Sequence, residues 1–348
     1  MIYILTVYDS LNYGSYFQAY ALKEILKKYD DTAFLDIKHQ STIKQTLKKA
    51  AGHIYHGRFP GVLFEFKRYF IFSKLKKQFP IVKLPDAKDG SIYVFGSDEI
   101  WNINREKFLN SPEFFGVGLK GGGKIAYAPS VNTVKAKDFS AHMELIDSIR
   151  SFDSIAVRDE YSRSVLKQFV DDPIDVVTDP TILYGVENFR KLQDNVGETE
   201  DFAVIYTYGK MCRTKSQIDS IKKAVSKRGL KLISVGRYLK WCDKSVMASP
   251  AEFLGYIDKA KLVITDTFHG TVFSVLYRKN LVVVNPAQKI KDMLSEFSLN
   301  EIVAEKTENI DQIIDKNTDY SNAETAQLEK VKSSRDYLER SLAKLMGK

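Results

Sequence analysis

Two doubly wound α/β domains are the fold that this sequence predicts, and three observations predict it. Short apolar runs alternate with helix-length amphipathic stretches. The alternation pauses over residues 185–200 and restarts at 202. The chain has 348 residues, more than one ordinary core needs, which suits two domains.

The elements follow in order. Residues 2–8, IYILTVY, read as a strand. Residues 15–29 read as a helix with Phe17, Ala21, Leu22, Ile25 and Leu26 on one face. AFLDI (33–37) is the next strand, and residues 41–80 read as helical and basic. IYVFGSD (92–98), KIAYAPS (124–130), SIAVRD (154–159) and DVVTDP (175–180) are strand-to-turn units. Residues 185–200 are polar and weakly periodic, as a linker would be. FAVIYTY (202–208), LKLISVG (230–236), KLVITD (261–266) and NLVVVN (280–285) are the later strands. Ser249-Pro250 with Glu252 three residues after Ser249 marks a helix start, and the chain ends in helix-like stretches. The expected division is an N-terminal domain over 1–184 with a basic helical insertion over 38–83, a linker over 185–200, and a C-terminal domain over 201–348 that includes the terminal helices. Ligands of such sheets bind outside the carboxyl ends of the strands, so two domains facing a cleft would hold the site there.

Composition excludes several classes. No stretch approaches ~18 consecutive apolar residues, so no membrane span is expected. The N-terminus lacks the basic region and small-residue cleavage site of a signal peptide. The two cysteines, Cys212 and Cys242, form no metal-spaced cluster and no disulfide framework, which suits a reducing, cytoplasmic setting. Net charge is +8. Residues 38–83 hold nine Lys and two Arg against one acid, Glu65, a net of +10 that exceeds the excess of the whole chain. Aromatics are interleaved there. Such a surface suits an anionic membrane face or an anionic substrate, or is a solvated face over an ordinary core stripe. No recognition motif of a nucleic-acid-binding module is present, so nucleic acid is not an expected partner.

Polar clusters follow the strands. In DSLNYGSYFQAYAL (9–22), Gly14 and Ser15 stand where a helix begins, and backbone N–H groups there can hold an anion or serve ordinary capping. In FGSDEIWN (95–102), Ser97, Asp98, Trp101 and Asn102 follow a strand end, and read either as a binding surface or as a tryptophan closing the domain edge. Arg158 comes directly after a strand; its fork suits a carboxylate or phosphate, or an ion pair with Asp159, Glu160 or another nearby acid. TDPT (178–181) is turn chemistry with a mainly structural role. His269 and Gly270 lie between a strand and a helix, flanked by the hydroxyls of Thr265, Thr267 and Thr271. An imidazole placed there can act as a base or donate to an oxyanion, and the glycine would admit a ligand closely.

NYGSYFQAYALKEILKK, VFGSDEIWN, AYAPSVN, SIAVRDEYSRSVL, VVTDPTILY and VITDTFHGTVFSVLYRK occur in the order seen in polysaccharide pyruvyl transferases, and the chain resembles that family from about Asn12 to the segment 289–299. The resemblance implies two Rossmann-like domains, as in B-type glycosyltransferases. It implies transfer of a pyruvyl group from phosphoenolpyruvate to sugar hydroxyls, usually as a ketal, on a surface polysaccharide or its lipid-linked precursor. Carried onto this sequence, His269 would be the acid/base, with Asp98 or Asp266 as second candidate. Arg158 and the helix starts at Gly14-Ser15 and Gly270-Thr271 would hold the donor. Asn12, Tyr13, Ser97, Trp101 and Asn102 would face the acceptor. No metal and no cofactor is expected, phosphoenolpyruvate being a substrate. Some members read Arg-Leu-His where this chain has Thr267-Phe268-His269. A B-type glycosyltransferase using a nucleotide sugar and a non-catalytic binding relative are the alternatives. A lipid-linked acceptor would bring residues 38–83 to the inner face of a membrane, docked through their charge, with Phe66, Tyr69, Phe70 and Phe72 inserted or, as is commoner for aromatics at helical spacing, on the core side of the same helix.

Overall fold

Two parallel sheets organise residues 1–37, 42–84, 90–119 and 121–347, which the computed structural model describes. The first contains β1 (Ile2–Leu5), β2 (Thr32–Leu35), β3 (Ile81–Val82), β4 (Ser91–Phe95), β5 (Gly122–Tyr127), β6 (Ser154–Val157) and β7 (Ile174–Val176). Their order is β3-β2-β1-β4-β5-β6-β7. The second contains β8 (Phe202–Tyr206), β9 (Lys231–Val235), β10 (Lys244–Val246), β11 (Leu262–Thr265), β12 (Leu281–Val284) and β13 (Val303–Ala304), in the order β10-β9-β8-β11-β12-β13. Central strands such as IYIL, LVIT and LVVV are buried at every position. Their β-branched runs fit parallel strands covered on both faces. Each sheet reverses its strand order once, between β1 and β4 and between β8 and β11. Those are the points where doubly wound sheets open a crevice.

The expected helix-start signals are realised. Helix α1 (Tyr13–Leu26) opens with Asn12 Oδ1 accepting from the Gly14 N–H at 2.9 Å, and Phe17, Ala21, Leu22, Ile25 and Leu26 are buried. The Pro250–Lys259 helix opens with a reciprocal box: Ser249 Oγ accepts from the Glu252 N–H at 3.1 Å, and Glu252 Oε2 from the Ser249 N–H at 2.6 Å.

The chain forms two units that are not contiguous in sequence. Unit 1 comprises Met1–Thr42, Ser73–Tyr184 and Leu328–Lys348, and unit 2 comprises Ile43–Phe72 and Gly185–Gln327. Most of the basic segment, helices α2 (Thr42–Tyr55) and α3 (Phe59–Lys76), therefore belongs with the second sheet rather than the first. There the Phe64 and His53 rings lie 6.3 and 6.1 Å from Tyr238. Residues 38–41 of that segment lie outside the described residues. The end of the chain joins unit 1: Ser334 Oγ accepts from the Thr178 N–H at 2.9 Å, and the Tyr337 hydroxyl donates to the Ala126 carbonyl at 2.8 Å. Residues 185–200, expected as a linker, pack into unit 2. Phe189 is fully buried, Asp194 N–H donates to the Ala251 carbonyl, and Lys259 Nζ reaches the Val196 carbonyl. Among the described residues no helix is long and apolar enough to cross a membrane.

Candidate active site

In unit 1 the polar cluster forms where β1 and β4 end. After β4 the chain passes Gly96 at φ 116°, where a Cβ would stand 2.1 Å from the Tyr127 carbonyl oxygen, so no other residue fits. Asp98 follows at φ 74°, the left-handed region that L residues with side chains rarely occupy. Buried polar groups hold this turn. Gln18 Oε1 accepts from Ser97 Oγ at 2.9 Å and from Thr6 Oγ1 at 3.1 Å, while Gln18 Nε2 donates to the Val7 and Ser15 carbonyls. The turn delivers Asp98 to the start of α1, where Ser15 Oγ donates to Asp98 Oδ2 at 3.0 Å and the Glu99 N–H donates to Oδ1 at 2.8 Å.

Arg158, after β6, is paired with an acid, one of its two sequence readings, and the acid is Asp179. Nη1 lies 3.3 Å from Asp179 Oδ2, with the two side chains 4% and 0% exposed. Asp179 Oδ1 also accepts from the Thr181 N–H and hydroxyl, so the TDPT turn anchors the pair. Burial opposes the guanidinium charge, but Asp179 first, then Asp98 and Asp159, outweigh it and hold Arg158 above its ordinary pKa. Asp159 instead caps the Glu160–Leu166 helix, accepting from the Ser162 N–H at 2.7 Å. Lys107 was not singled out from the sequence. Burial pulls its ammonium below the usual lysine value, and Asp98 is the largest charge opposing that. Its helix of four residues carries no periodicity that would flag it.

Four expected contacts are corrected. Trp101 is fully buried, with Nε1 donating to the Phe114 carbonyl at 3.0 Å and its ring edge-on to Phe152. It closes the core and presents no face to a sugar. Asn102 is buried too, with Nδ2 donating to Glu99 Oε2 at 3.0 Å, and Ser97 is buried in the Gln18 network. The Gly14 N–H is taken by the Asn12 cap. Tyr13 is buried at the head of α1, and Asn12 is half-buried.

In unit 2 the equivalent place is the end of β11. Asp266 is tied across the β8–β11 reversal: Oδ2 accepts from Thr207 Oγ1 at 2.8 Å and from the Met211 N–H at 3.3 Å, and Oδ1 from the Tyr208 N–H at 3.2 Å. Thr267 caps the Phe268–Leu276 helix, with Oγ1 accepting from the Gly270 N–H at 3.0 Å. His269 stands half-buried in the first turn of that helix, its ring edge-on to Phe268 at 5.2 Å. Lys289 Nζ lies 5.9 Å from the Phe268 ring centre, a cation at the histidine turn that the sequence reading did not single out.

The flanking hydroxyls serve the turn itself. Thr265 Oγ1 donates to the Tyr206 carbonyl at 2.6 Å, and Thr271 Oγ1 donates back to the Thr267 carbonyl at 2.9 Å. Gly270 is required by the same packing rather than by a ligand: a Cβ would sit 2.4 Å from Thr265 Oγ1 and 2.5 Å from Thr267 Oγ1. Gly270→Ala is therefore expected to destabilise the protein by roughly 1 to 3 kcal/mol, the usual cost of overpacking, and to lower activity by displacing His269. Chemical denaturation of the variant measures it; a parent-like midpoint would show that the turn yields. Among the described residues, no three His, Cys, Asp or Glu side chains gather as a metal-holding group.

Comparison with known proteins agrees with the fold and places the chain in a family. The family model for polysaccharide pyruvyl transferase matches residues 12–288. Among solved structures, a trehalose-6-phosphate synthase matches with TM-score 0.54 at 8% identity, over 99% of this chain and 98% of that one. The N-terminal domain of Candida albicans trehalose-6-phosphate phosphatase matches with TM-score 0.53 at 8% identity, over 99% and 96%. The UDP-GlcNAc 2-epimerase of Methanocaldococcus jannaschii matches with TM-score 0.52 at 9% identity, over 94% and 97%. Identities this low speak for the fold, two α/β units of the kind found in B-type glycosyltransferases. No similar sequence was found among curated proteins. The match from the cap of α1 to the helix beyond β12 includes both polar turns, and by it the chain belongs to the polysaccharide pyruvyl transferase family.

Proposed function

We propose that the protein moves a pyruvyl group from phosphoenolpyruvate onto two hydroxyls of a sugar, in a surface polysaccharide or its lipid-linked precursor, closing a cyclic ketal. The family match over residues 12–288 carries this reading. The chemistry asks for a proton donor, a base and cations, and the two strand-end turns supply those residue types. His269, as imidazolium, gives its proton to the methylene carbon of the donor. The neighbouring carbon becomes an oxocarbenium centre. A sugar hydroxyl adds there and its proton passes to the neutral imidazole. The carbon–oxygen bond to phosphate breaks, phosphate leaves with its electron pair, and the second hydroxyl adds to the new cationic carbon and passes its proton to the departing phosphate, which leaves as hydrogen phosphate. Arg158, Lys107 and Lys289 are the cations proposed for the donor's carboxylate and phosphate. Lys289 takes the part that an arginine two residues before the histidine has in some members. Asp98 and Asp266 orient their turns and are the second candidates for proton transfer.

The test is incubation with phosphoenolpyruvate and candidate oligosaccharide acceptors, reading released phosphate and a product that has gained a pyruvylidene group. In thermal shift, phosphoenolpyruvate is expected to stabilise the protein and a nucleoside diphosphate is not; at about a hundred times Kd, binding adds about 2.7 kcal/mol. The opposite pattern would favour a nucleotide-sugar glycosyltransferase. Arg158→Lys exchanges a planar fork for a point charge, so weaker calorimetric affinity for phosphoenolpyruvate is expected at a temperature where the variant is folded. Unchanged affinity would leave Arg158 to Asp179 alone.

A further inference from the structure

The basic segment carries a feature that its charge alone does not reveal. The described residues expose eleven large apolar side chains, and six of them lie on α2, α3 and the turn joining them: Leu47, Ile54, Tyr55, Phe59, Leu63 and Phe70. Tyr55 is 86% exposed and Leu63 75%. On α3, Phe59, Leu63, Lys67, Phe70 and Lys74 recur at steps of three and four, so they line one face, and all are exposed. Phe64 and Phe72 occupy the buried side. On α2, Lys44 and Lys48 are exposed next to Leu47. Glu65 is the only acid from residue 42 to 83; it is buried and pairs with Arg68 at 3.4 Å. The exposed face is thus apolar and cationic without a carboxylate.

This differs from the expectation of Phe66, Tyr69, Phe70 and Phe72 as the apolar set. Phe72 is core, Phe66 and Tyr69 are half-buried, and only Phe70 is exposed. A face that merely needed solubility would not display Tyr55, Phe59, Leu63 and Phe70 beside its lysines. A protein groove complementary to it would have to be acidic and apolar along the same stripe. The headgroup layer of an anionic bilayer offers both chemistries everywhere: phosphates for the lysines and acyl-chain edges for the rings.

We propose that α2, α3 and their turn are a docking surface for anionic lipid headgroups, with Tyr55, Phe59, Leu63 and Phe70 entering the interface and Lys44, Lys48, Lys67 and Lys74 above the phosphates. The surface rests on its own geometry and does not depend on pyruvyl transfer.

The experiment is co-sedimentation of the full-length protein with phosphatidylcholine vesicles, with and without phosphatidylglycerol. Binding is expected only with the anionic lipid, and it weakens as salt rises. Lys67→Gln with Lys74→Gln should lower the partition coefficient by at least tenfold, since each lysine near such a surface contributes about fivefold. Phe59→Ser, Leu63→Ser and Phe70→Ser together should lower it by about tenfold or more while keeping the salt dependence of the parent. These side chains are exposed, and parent-like circular dichroism and melting would confirm that both variants fold. Equal binding to neutral and anionic vesicles, parent-like binding by either variant, or self-association abolished by the triple serine variant would overturn the proposal.

Discussion

Replacing His269 with alanine is expected to lower turnover by roughly 10²- to 10⁴-fold, the span that positioned acid–base groups contribute. The argument starts from the turn. Thr267, Gly270 and Thr271 build the helix start among themselves, through the Thr267 cap, the glycine packing and the Thr271 back-bond. None of these contacts uses the His269 side chain, which is half-buried as Phe268 is, with its ring edge-on to Phe268. Its loss should therefore leave the melting temperature nearly unchanged. His269→Gln keeps a polar amide but cannot shuttle a proton at neutral pH, so it should retain phosphoenolpyruvate affinity better than kcat. Phosphate release under saturating donor gives kcat directly. A near-parental value in the alanine variant would remove His269 from the chemistry.

Asp179→Ala should produce the largest loss of stability. The carboxylate is fully buried, carries three contacts in the TDPT turn and against Arg158, and faces a guanidinium that is itself 4% exposed. Removing one partner of such a pair leaves the other charge buried, at a cost of about 3–5 kcal/mol. For a unit of this size each kcal/mol moves the midpoint by roughly 2–4 °C, so unit 1 should melt about 10 °C lower. Asp179→Asn, which keeps an acceptor, should recover part of that. Scanning calorimetry decides it: a parent-like transition for the alanine variant would mean that Asp98 and Asp159 satisfy Arg158 by themselves.

Ten strands were legible because each belongs to an apolar run closed by a polar turn, and even the three-residue edge strand β7 is marked by the TDPT turn that follows it. The three that were not, β3, β10 and β13, all lie at sheet edges and have two or three residues apiece, too few for a period to show. Strand ends located the polar turns, since Asp98, Arg158, Asp266 and His269 each follow a strand by four residues or fewer. Which of those residues serve the turn was not legible. Trp101, Ser97 and Thr271 look like ligand contacts in the sequence, yet they close the core, bond Gln18 and bond the helix backbone. Gln18 offered one signal, the one amide in the otherwise apolar run 16–22 of α1. Lys107 and Lys289 offered none, because the charge field of Asp98 at Lys107 and the Phe268 ring near Lys289 depend on how the loops fold, not on a pattern in the sequence. The basic segment was legible as charge, but which rings face outward depends on the phase of α3, and several spacings fit the same residues.

The non-contiguous make-up of the two units bears on how the protein is made. A ribosome delivers residues 43–72 and then 185–327, at which point every segment of unit 2 has been synthesised. Unit 1, which begins first, still lacks Leu328–Lys348, and with it the Ser334 hydroxyl that accepts the Thr178 N–H and the Tyr337 hydroxyl that reaches Ala126. Domains usually mature in the order of their synthesis. Here that order is inverted: all seven strands of unit 1 are made by residue 176, yet its Leu328–Lys348 segment follows the whole of unit 2, so a chain interrupted near residue 327 would hold every segment of unit 2 and an incomplete unit 1.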